Sequence, residues 1–137
     1  MSAPFLGCKL AILVGEQIVT ILRDDIPTIP WPGYWDLPGG GREGAESPEA
    51  CVLRELEEEL GLVWAPTTLQ WSAQSHNSRG TVWFFVTEAP EFDVAEVTFG
   101  NEGQEWRLQQ LDWYLTEAKA VPHHLGPLRK YLTTRPR

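Results

Sequence analysis

Apolar and polar positions alternate in short runs along most of the chain, and the breaks between runs fall at glycine, proline and clusters of charge. The first two runs, LGCKLAILV at 6–14 and EQIVTIL at 16–22, are divided by Gly15 and predict two strands joined by a tight turn. Cys8 reads as core. Arg23-Asp24-Asp25 opens a stretch, IPTIPWPGYWDLPGG, in which Pro27, Pro30, Pro32 and Pro38 exclude a regular helix. An extended loop ending in a short strand at 35–37 is expected there. Its aromatic residues Trp31, Tyr34 and Trp35 suit either a stacking wall for a planar ligand or the covers of a small core.

The period changes after a glycine loop at 39–41. Ser47 can cap a helix, Pro48 suits its first position and Gly61 its end, which predicts a helix over 48–60. At 100° per residue Val52, Leu53, Leu56 and Leu60 share one broad sector, and Glu55, Glu58 and Glu59 share the sector beside it. Glu57 points to water. Glutamates three and four apart repel by only about 0.2–0.5 kcal/mol per pair, so an acidic face alone does not demand a ligand. Combined with the glycines just upstream it does suggest one, because carboxylates on one rigid helix can converge on a hard cation and glycine lets backbone approach it.

Beyond Ala65-Pro66, residues 67–75 predict a strand, 76–80 a turn and 81–88, TVWFFVTE, the strongest strand of the chain, so that a hairpin follows. No regular structure is expected at 89–98. A glycine-flanked segment, Gly100-Asn101-Glu102-Gly103-Gln104, precedes strand-like alternation at 105–108, and short helices are expected at 111–118 and 125–132. Glu102, between two glycines, is expected on a mobile loop. Strands, loop, helix, strands and helices in that order suit a mixed α/β sheet between helical layers.

Composition narrows the partners. A length of 137 residues suits a single domain, 1–137, and 42% hydrophobic residues with seven Trp and five Phe can fill a core. No run approaches the roughly 18 apolar residues of a membrane span, and the first residues lack the basic start of a signal peptide. Two widely spaced cysteines form neither a disulfide framework nor a zinc pattern, which fits a reducing cytoplasm. A net charge of −8 argues against DNA or long RNA as a stable partner but is neutral toward a small nucleotide. The histidines, His76, His123 and His124, lack metal-ligand spacing.

From Gly40 the residues fill every fixed place of the Nudix box: Gly40, Glu46, Arg54, Glu55, Leu56, Glu58, Glu59, Gly61 and Leu62, with the lead-in WDLPGG at 35–40. Over 40–62 the chain therefore resembles the Nudix hydrolases. The GNEGQ segment and the GTVWFFV strand extend the likeness to MutT-type nucleoside triphosphate pyrophosphohydrolases. The resemblance implies an α/β/α sandwich with a mixed sheet and cleavage of a phosphoanhydride bond. It implies Mg²⁺ or Mn²⁺ held by Glu55, Glu58 and Glu59, with a Gly39 or Gly40 carbonyl and Glu102 completing the set. Glu55 ranks ahead of Glu58 and Glu102 as the base that takes the proton of water. Arg54 is expected to hold a glutamate in position, Glu46 and Gly61 to shape the box, and Arg23, Trp31, Tyr34, Trp35 and His124 to contact substrate. His124, or His123, stands near where MutT-type enzymes place an asparagine against the purine edge, and that departure bears on preference for oxidised guanine.

The leading expectation is a Mg²⁺-dependent hydrolase of a nucleoside triphosphate, oxidised dGTP included, or of a related nucleoside diphosphate derivative. Its rivals are ADP-sugar, dinucleoside polyphosphate and RNA 5′-end pyrophosphohydrolases, and a non-catalytic nucleotide-binding regulator. The proline or tyrosine associated with the first two rivals is missing from the window Asn77-Ser78-Arg79-Gly80, and the loss of box glutamates expected of a regulator has not occurred.

Overall fold

A computed structural model describes residues 4–135, the side chain of Asn77 excepted. Seven strands make one mixed sheet. Along its main path β3 (Trp35–Asp36), β2 (Gln17–Leu22), β1 (Gly7–Val14), β6 (Gly80–Glu88) and β5 (Trp71–Asn77) lie side by side, while β4 (Gly39–Gly41) pairs with β1 and β7 (Glu105–Gln110) with β2. β1 and β6 run parallel, with Leu10 opposite Phe85, and the other pairings are antiparallel.

Alternation along β1 sorts side chains into two cores. Cys8, Leu10 and Ile12 pack with Cys51, Val52, Leu56 and Leu60 of α1 (Pro48–Leu60). Ala11 and Leu13 face the other way, against Leu111 and Tyr114 of α2 (Leu111–Thr116) and Leu128 and Tyr131 of α3 (Leu125–Thr134). The period of two in a central strand thus places one helix over one face and two over the other. The α/β/α expectation holds.

Local signals account for α1. Ser47 Oγ accepts the amide hydrogen of Ala50 at 3.1 Å, Pro48 occupies the first turn, and Gly61 closes the helix in the left-handed region at φ 68°.

Some expectations shift. Residues 39–41 form a strand, not a loop, because glycine lets β4 lie close against β1. The strand expected at 67–75 begins at Trp71, after a 3₁₀ turn at Pro66–Thr68 that Thr68 closes by donating its hydroxyl to Ala65 O at 2.8 Å. The segment at 89–98 holds a 3₁₀ turn, Val94–Glu96, capped by Asp93. α2 stops at Thr116, whose hydroxyl bonds back to Asp112 O at 3.1 Å. Among the described residues no helix is long and apolar enough to cross a membrane.

Candidate active site

The acidic face of α1 opens onto a cavity of about 370 Å³ lined by Glu43, Glu55, Glu58, Glu59, Asn101 and Glu102. Glu57, as expected, is exposed to water. Glu102 arrives from across the cleft, yet its loop is tied at both ends. Gly100 donates its amide hydrogen to Glu59 O at 2.9 Å, Gly103 to Asp24 Oδ2 at 3.2 Å and Gln104 to Leu22 O at 2.8 Å. The glycines of this segment serve close approach: a Cβ on Gly100 would run into the Glu58 carbonyl. The segment is thus anchored on both sides of Asn101 and Glu102.

Arg54 is the hub of the box. Its guanidinium donates to Glu46 at 2.8 Å, to Gly41 O at 2.8 Å, and to Glu55 and Glu58 at 3.2 Å each. Glu46 in turn accepts the amide hydrogen of Glu43 at 2.8 Å, and the hydrogen bond from Arg54 holds its carboxyl down at about 2. Glu46 and Arg54 thus fasten the segment before the helix to the helix itself.

The other two glutamates differ in setting. Glu58 is half exposed, its side chain 56% accessible, whereas Glu59 is buried deeply enough that its carboxyl rises to about 8, despite the nearby Lys9 ammonium and a hydrogen bond from the Gly39 amide. Burial also raises Glu55, with Arg54 opposing. Oxygen donors crowded around one cavity, some of them destabilised as anions by burial, suit a hard divalent cation in donor type and charge. No three His, Cys, Asp or Glu side chains among the described residues already stand as a metal-binding group; Glu55 and Glu58 share one nitrogen of Arg54, and Glu59 is turned to the Gly39 amide. The carbonyls proposed as further ligands are also engaged. Lys9 Nζ lies 3.5 Å from Gly39 O, and the thiols of Cys8 and Cys51 lie 3.7 and 3.9 Å from Gly40 O. Those two free thiols are themselves 3.0 Å apart, and Cys51 fills the small space where helix meets glycine strand.

A second cavity, about 320 Å³, shares Glu59 and Glu102 with the first and continues past Ile21, Arg23, Asp24, Ile29, Asp36 and Leu37. A third, also about 320 Å³ and more apolar, shares Arg23 and Asp36 with the second; Trp31, Val82, Phe84, His123 and His124 are among its walls. One trough thus runs from carboxylates to aromatic rings. Trp31 sits in the left-handed region at φ 51°, a strained place for a bulky residue, with its ring 5.1 Å from Tyr34 and 5.4 Å from His123. Of the aromatic candidates only Trp31 lines the third cavity; Tyr34 supports it from behind. Trp35 lines none of these cavities. It packs edge-on against Trp113 at 5.9 Å, because its strand turns that ring toward α2, and the structure makes it a core cover instead of a substrate contact.

Asp36 and Lys9 did not emerge from sequence reasoning, and they hold the middle of the trough. Asp36, 5% exposed, accepts from Lys9 at 2.9 Å, Arg23 at 2.8 Å, His124 Nε2 at 2.6 Å and the Leu37 amide at 2.8 Å. Burial alone would raise its carboxyl, but Lys9 and His124 outweigh it and hold the group far below the ordinary carboxylate range. A single lysine within the apolar run LGCKLAILV was the available signal, since a cation there needs a buried anion as partner. His124 is reached by this network and is not free in solvent.

Comparison with known proteins fits this geometry. The model of the NUDIX domain matches residues 10–131. Nudix hydrolase 25 of Arabidopsis thaliana is 32% identical over 64% of the chain and 44% of its own length. The 8-oxo-dGTP diphosphatase of Proteus vulgaris is 49% identical over 27% of the chain and 33% of its own length. The chain thus spans less than half the length of these curated relatives. The crystal structure of the MutT protein from Methanosarcina mazei Go1 superposes with a TM-score of 0.75 at 20% identity, covering 100% of the chain and 99% of its own, and shares the fold.

Proposed function

The chain belongs to the NUDIX domain family, and from that premise we propose that it is a divalent-metal-dependent pyrophosphohydrolase of a nucleoside triphosphate, or of a closely related nucleoside diphosphate derivative. One observation carries the reading: a trough with a carboxylate cavity at one end and an aromatic cavity at the other, joined through Glu59, Glu102, Arg23 and Asp36. Its polarity suits phosphates at the acidic end and a base at the apolar end.

Glu55, Glu58, Glu59 and Glu102 would hold Mg²⁺ or Mn²⁺, with the Gly39 or Gly40 carbonyl as a further oxygen. When bound, such a cation neutralises phosphoryl oxygens and makes a water molecule easier to deprotonate. The residues of the chain do the rest. Glu55, raised by burial, is the favoured acceptor for the proton of the attacking water. Arg54 orients Glu55 and Glu58. Arg23 spends Nε on Pro30 O and Nη1 on Asp36, while Nη2 has no partner among the described residues and remains available to a phosphate or sugar oxygen. Trp31 offers its ring to the base.

The test is release of pyrophosphate or phosphate from a panel of nucleoside triphosphates, 8-oxo-dGTP, ADP-sugars, dinucleoside polyphosphates and 5′-triphosphate RNA, with Mg²⁺, with Mn²⁺ and with chelator. Turnover of triphosphates that chelator abolishes supports the reading. A preference for another member replaces the substrate, and binding without turnover of any member replaces the activity by nucleotide binding.

A further inference from the structure

Two residues 43 positions apart in the chain meet where α1 rests on β1. Cys8 donates its S–H to Cys51 Sγ at 3.0 Å, and both are closed off from solvent, Cys8 at 1% and Cys51 at 0% exposure. Both thiols are free, and neither enters the chemistry proposed above. The fold sets their meeting from both sides. Cys8 stands opposite Gly40 in the register of β1 with β4, and Cys51 lies in the first turns of α1, its amide hydrogen donated to Ser47 O at 2.9 Å. A disulfide places its sulfurs about 2.05 Å apart, so roughly 1 Å is left to close. A small slide of helix against strand covers that distance.

We infer that Cys8 and Cys51 are a reversible dithiol–disulfide pair, closed within the folded protein by a small peroxide, and that closure weakens the hold of the acidic end on a divalent cation. The chemistry balances in two steps. One sulfur attacks a peroxide oxygen, the O–O bond breaks, and a water leaves behind a sulfenic acid. The second sulfur then attacks the first, the S–O bond breaks, and a second water carries off the remaining thiol hydrogen. Two thiols are oxidised and one peroxide is reduced to two waters. Burial selects the oxidant, since hydrogen peroxide is small and uncharged, whereas a bulky disulfide cannot reach sulfurs with no exposed surface.

The link to the acidic end is steric, and this half of the inference rests on the metal reading above. Gly40 O lies 3.7 Å from Cys8 Sγ and 3.9 Å from Cys51 Sγ, and a Cβ built on Gly40 would fall 2.5 Å from Glu55 Oε1. β1, β4 and α1 thus meet without slack, and an interior packed this closely transmits a displacement. Drawing the sulfurs together shifts α1 against the glycine strand and takes both S–H groups from the Gly40 carbonyl. Glu55 and Gly40 O, two of the oxygens assigned to the cation, lose the setting they share.

Two measurements test it. The full chain, folded and metal-free, is treated with hydrogen peroxide at neutral pH, then denatured, alkylated and mapped by mass spectrometry. Both thiols should disappear together into a peptide linking Cys8 to Cys51 within the monomer, and dithiothreitol should restore them. Two free thiols, a lone sulfenic or sulfinic acid, or a bridge between two copies overturns the inference. Glutathione disulfide should leave both thiols free; oxidation as fast as by peroxide would mean that the sulfurs meet only in an opened chain, and overturns closure within the fold. Mn²⁺ titration of the two forms is the second measurement. The disulfide form should bind about tenfold or more weakly, the scale of losing groups that support a metal ligand, and recover on reduction. Equal or tighter binding overturns the coupling to the acidic end. A reduced protein that binds no Mn²⁺ overturns the metal reading, and the peptide map then decides the disulfide by itself.

Discussion

Glu59 accepts the amide hydrogen of Gly39 at 2.7 Å across 20 residues of sequence, tying the last turn of α1 to the strand that enters the glycine segment. Glu58, one residue earlier, is half exposed and, among the described residues, held by Arg54 alone. Replacing either by glutamine preserves size and removes charge. We expect Glu59→Gln and Glu58→Gln to fold, because an amide oxygen can still accept from Gly39, and to lose at least about a hundredfold in turnover, near 3 kcal/mol of transition-state stabilisation. Circular dichroism with Mn²⁺ titration and kinetics checks this, and unaltered turnover of both variants at saturating metal would remove the carboxylates from the chemistry.

Glu102 should behave differently. Its loop is anchored through Gly100, Gly103 and Gln104, so only the tip carrying the carboxylate can adjust when ligand arrives. Glu102→Gln is expected to lower kcat while free-protein Mn²⁺ affinity falls less than in Glu58→Gln. Equal loss of Mn²⁺ binding in the two variants contradicts that division.

The aromatic residues divide as well. Trp31→Ala should weaken substrate by roughly 1–3 kcal/mol, the worth of one stacked base, seen as a rise in KM with little change in unfolding midpoint. Trp35→Ala should cost about 3 kcal/mol of stability through lost packing on Trp113 and leave KM near its starting value. Urea titrations beside steady-state kinetics separate the two, and the reverse pattern would move the base away from Trp31.

Breaking the buried charge cluster is expected to be costly. Asp36→Asn leaves Lys9 and Arg23 facing a neutral amide, and removing one partner of such a group destabilises by about 3–5 kcal/mol. A denaturation midpoint within experimental error of the unaltered protein would show that the cluster is solvated in practice.

Glu46 sets a pH dependence. Its folded carboxyl lies at about 2 against an ordinary 4.5, so the folded state binds fewer protons in that interval. The stability it contributes is fully present above about pH 4.5 and is lost as pH falls toward 2. Glu46→Gln should flatten that part of the stability profile. Identical slopes for both proteins between those pH values would disprove the assignment.

Much of the site could be read from residue order because its parts are local. Ser47, Pro48 and Gly61 bound α1 by short-range rules, and helical periodicity gathers Glu55, Glu58 and Glu59 on one face. Arg54 reaches Glu46 eight residues away, also within a short span. What stayed hidden depends on partners that only the sheet brings together. Asp36 meets His124 88 residues later and Lys9 27 residues earlier, and no period in the sequence announces either contact. Trp35 was misjudged for the same reason: strand alternation fixes which face a ring takes, but not whether that face is cavity or core. The glycines at 39–41 looked like a loop because β-propensity undervalues a strand whose purpose is closeness.

That closeness constrains how the protein can change over generations. A single methyl group on Gly39 would strike the Cys8 carbonyl, one on Gly40 the Glu55 carboxylate, and one on Gly100 the Glu58 carbonyl. Backbone meets backbone at two of these positions, so no rotamer gives way. Around the aromatic cavity the walls are side chains, Trp31, Val82, Phe84 and His123, which can be exchanged one at a time. Drift is thus barred at the acidic end and open at the other: descendants of this sequence can reshape the aromatic cavity by ordinary point mutation, while the acidic end must be inherited whole.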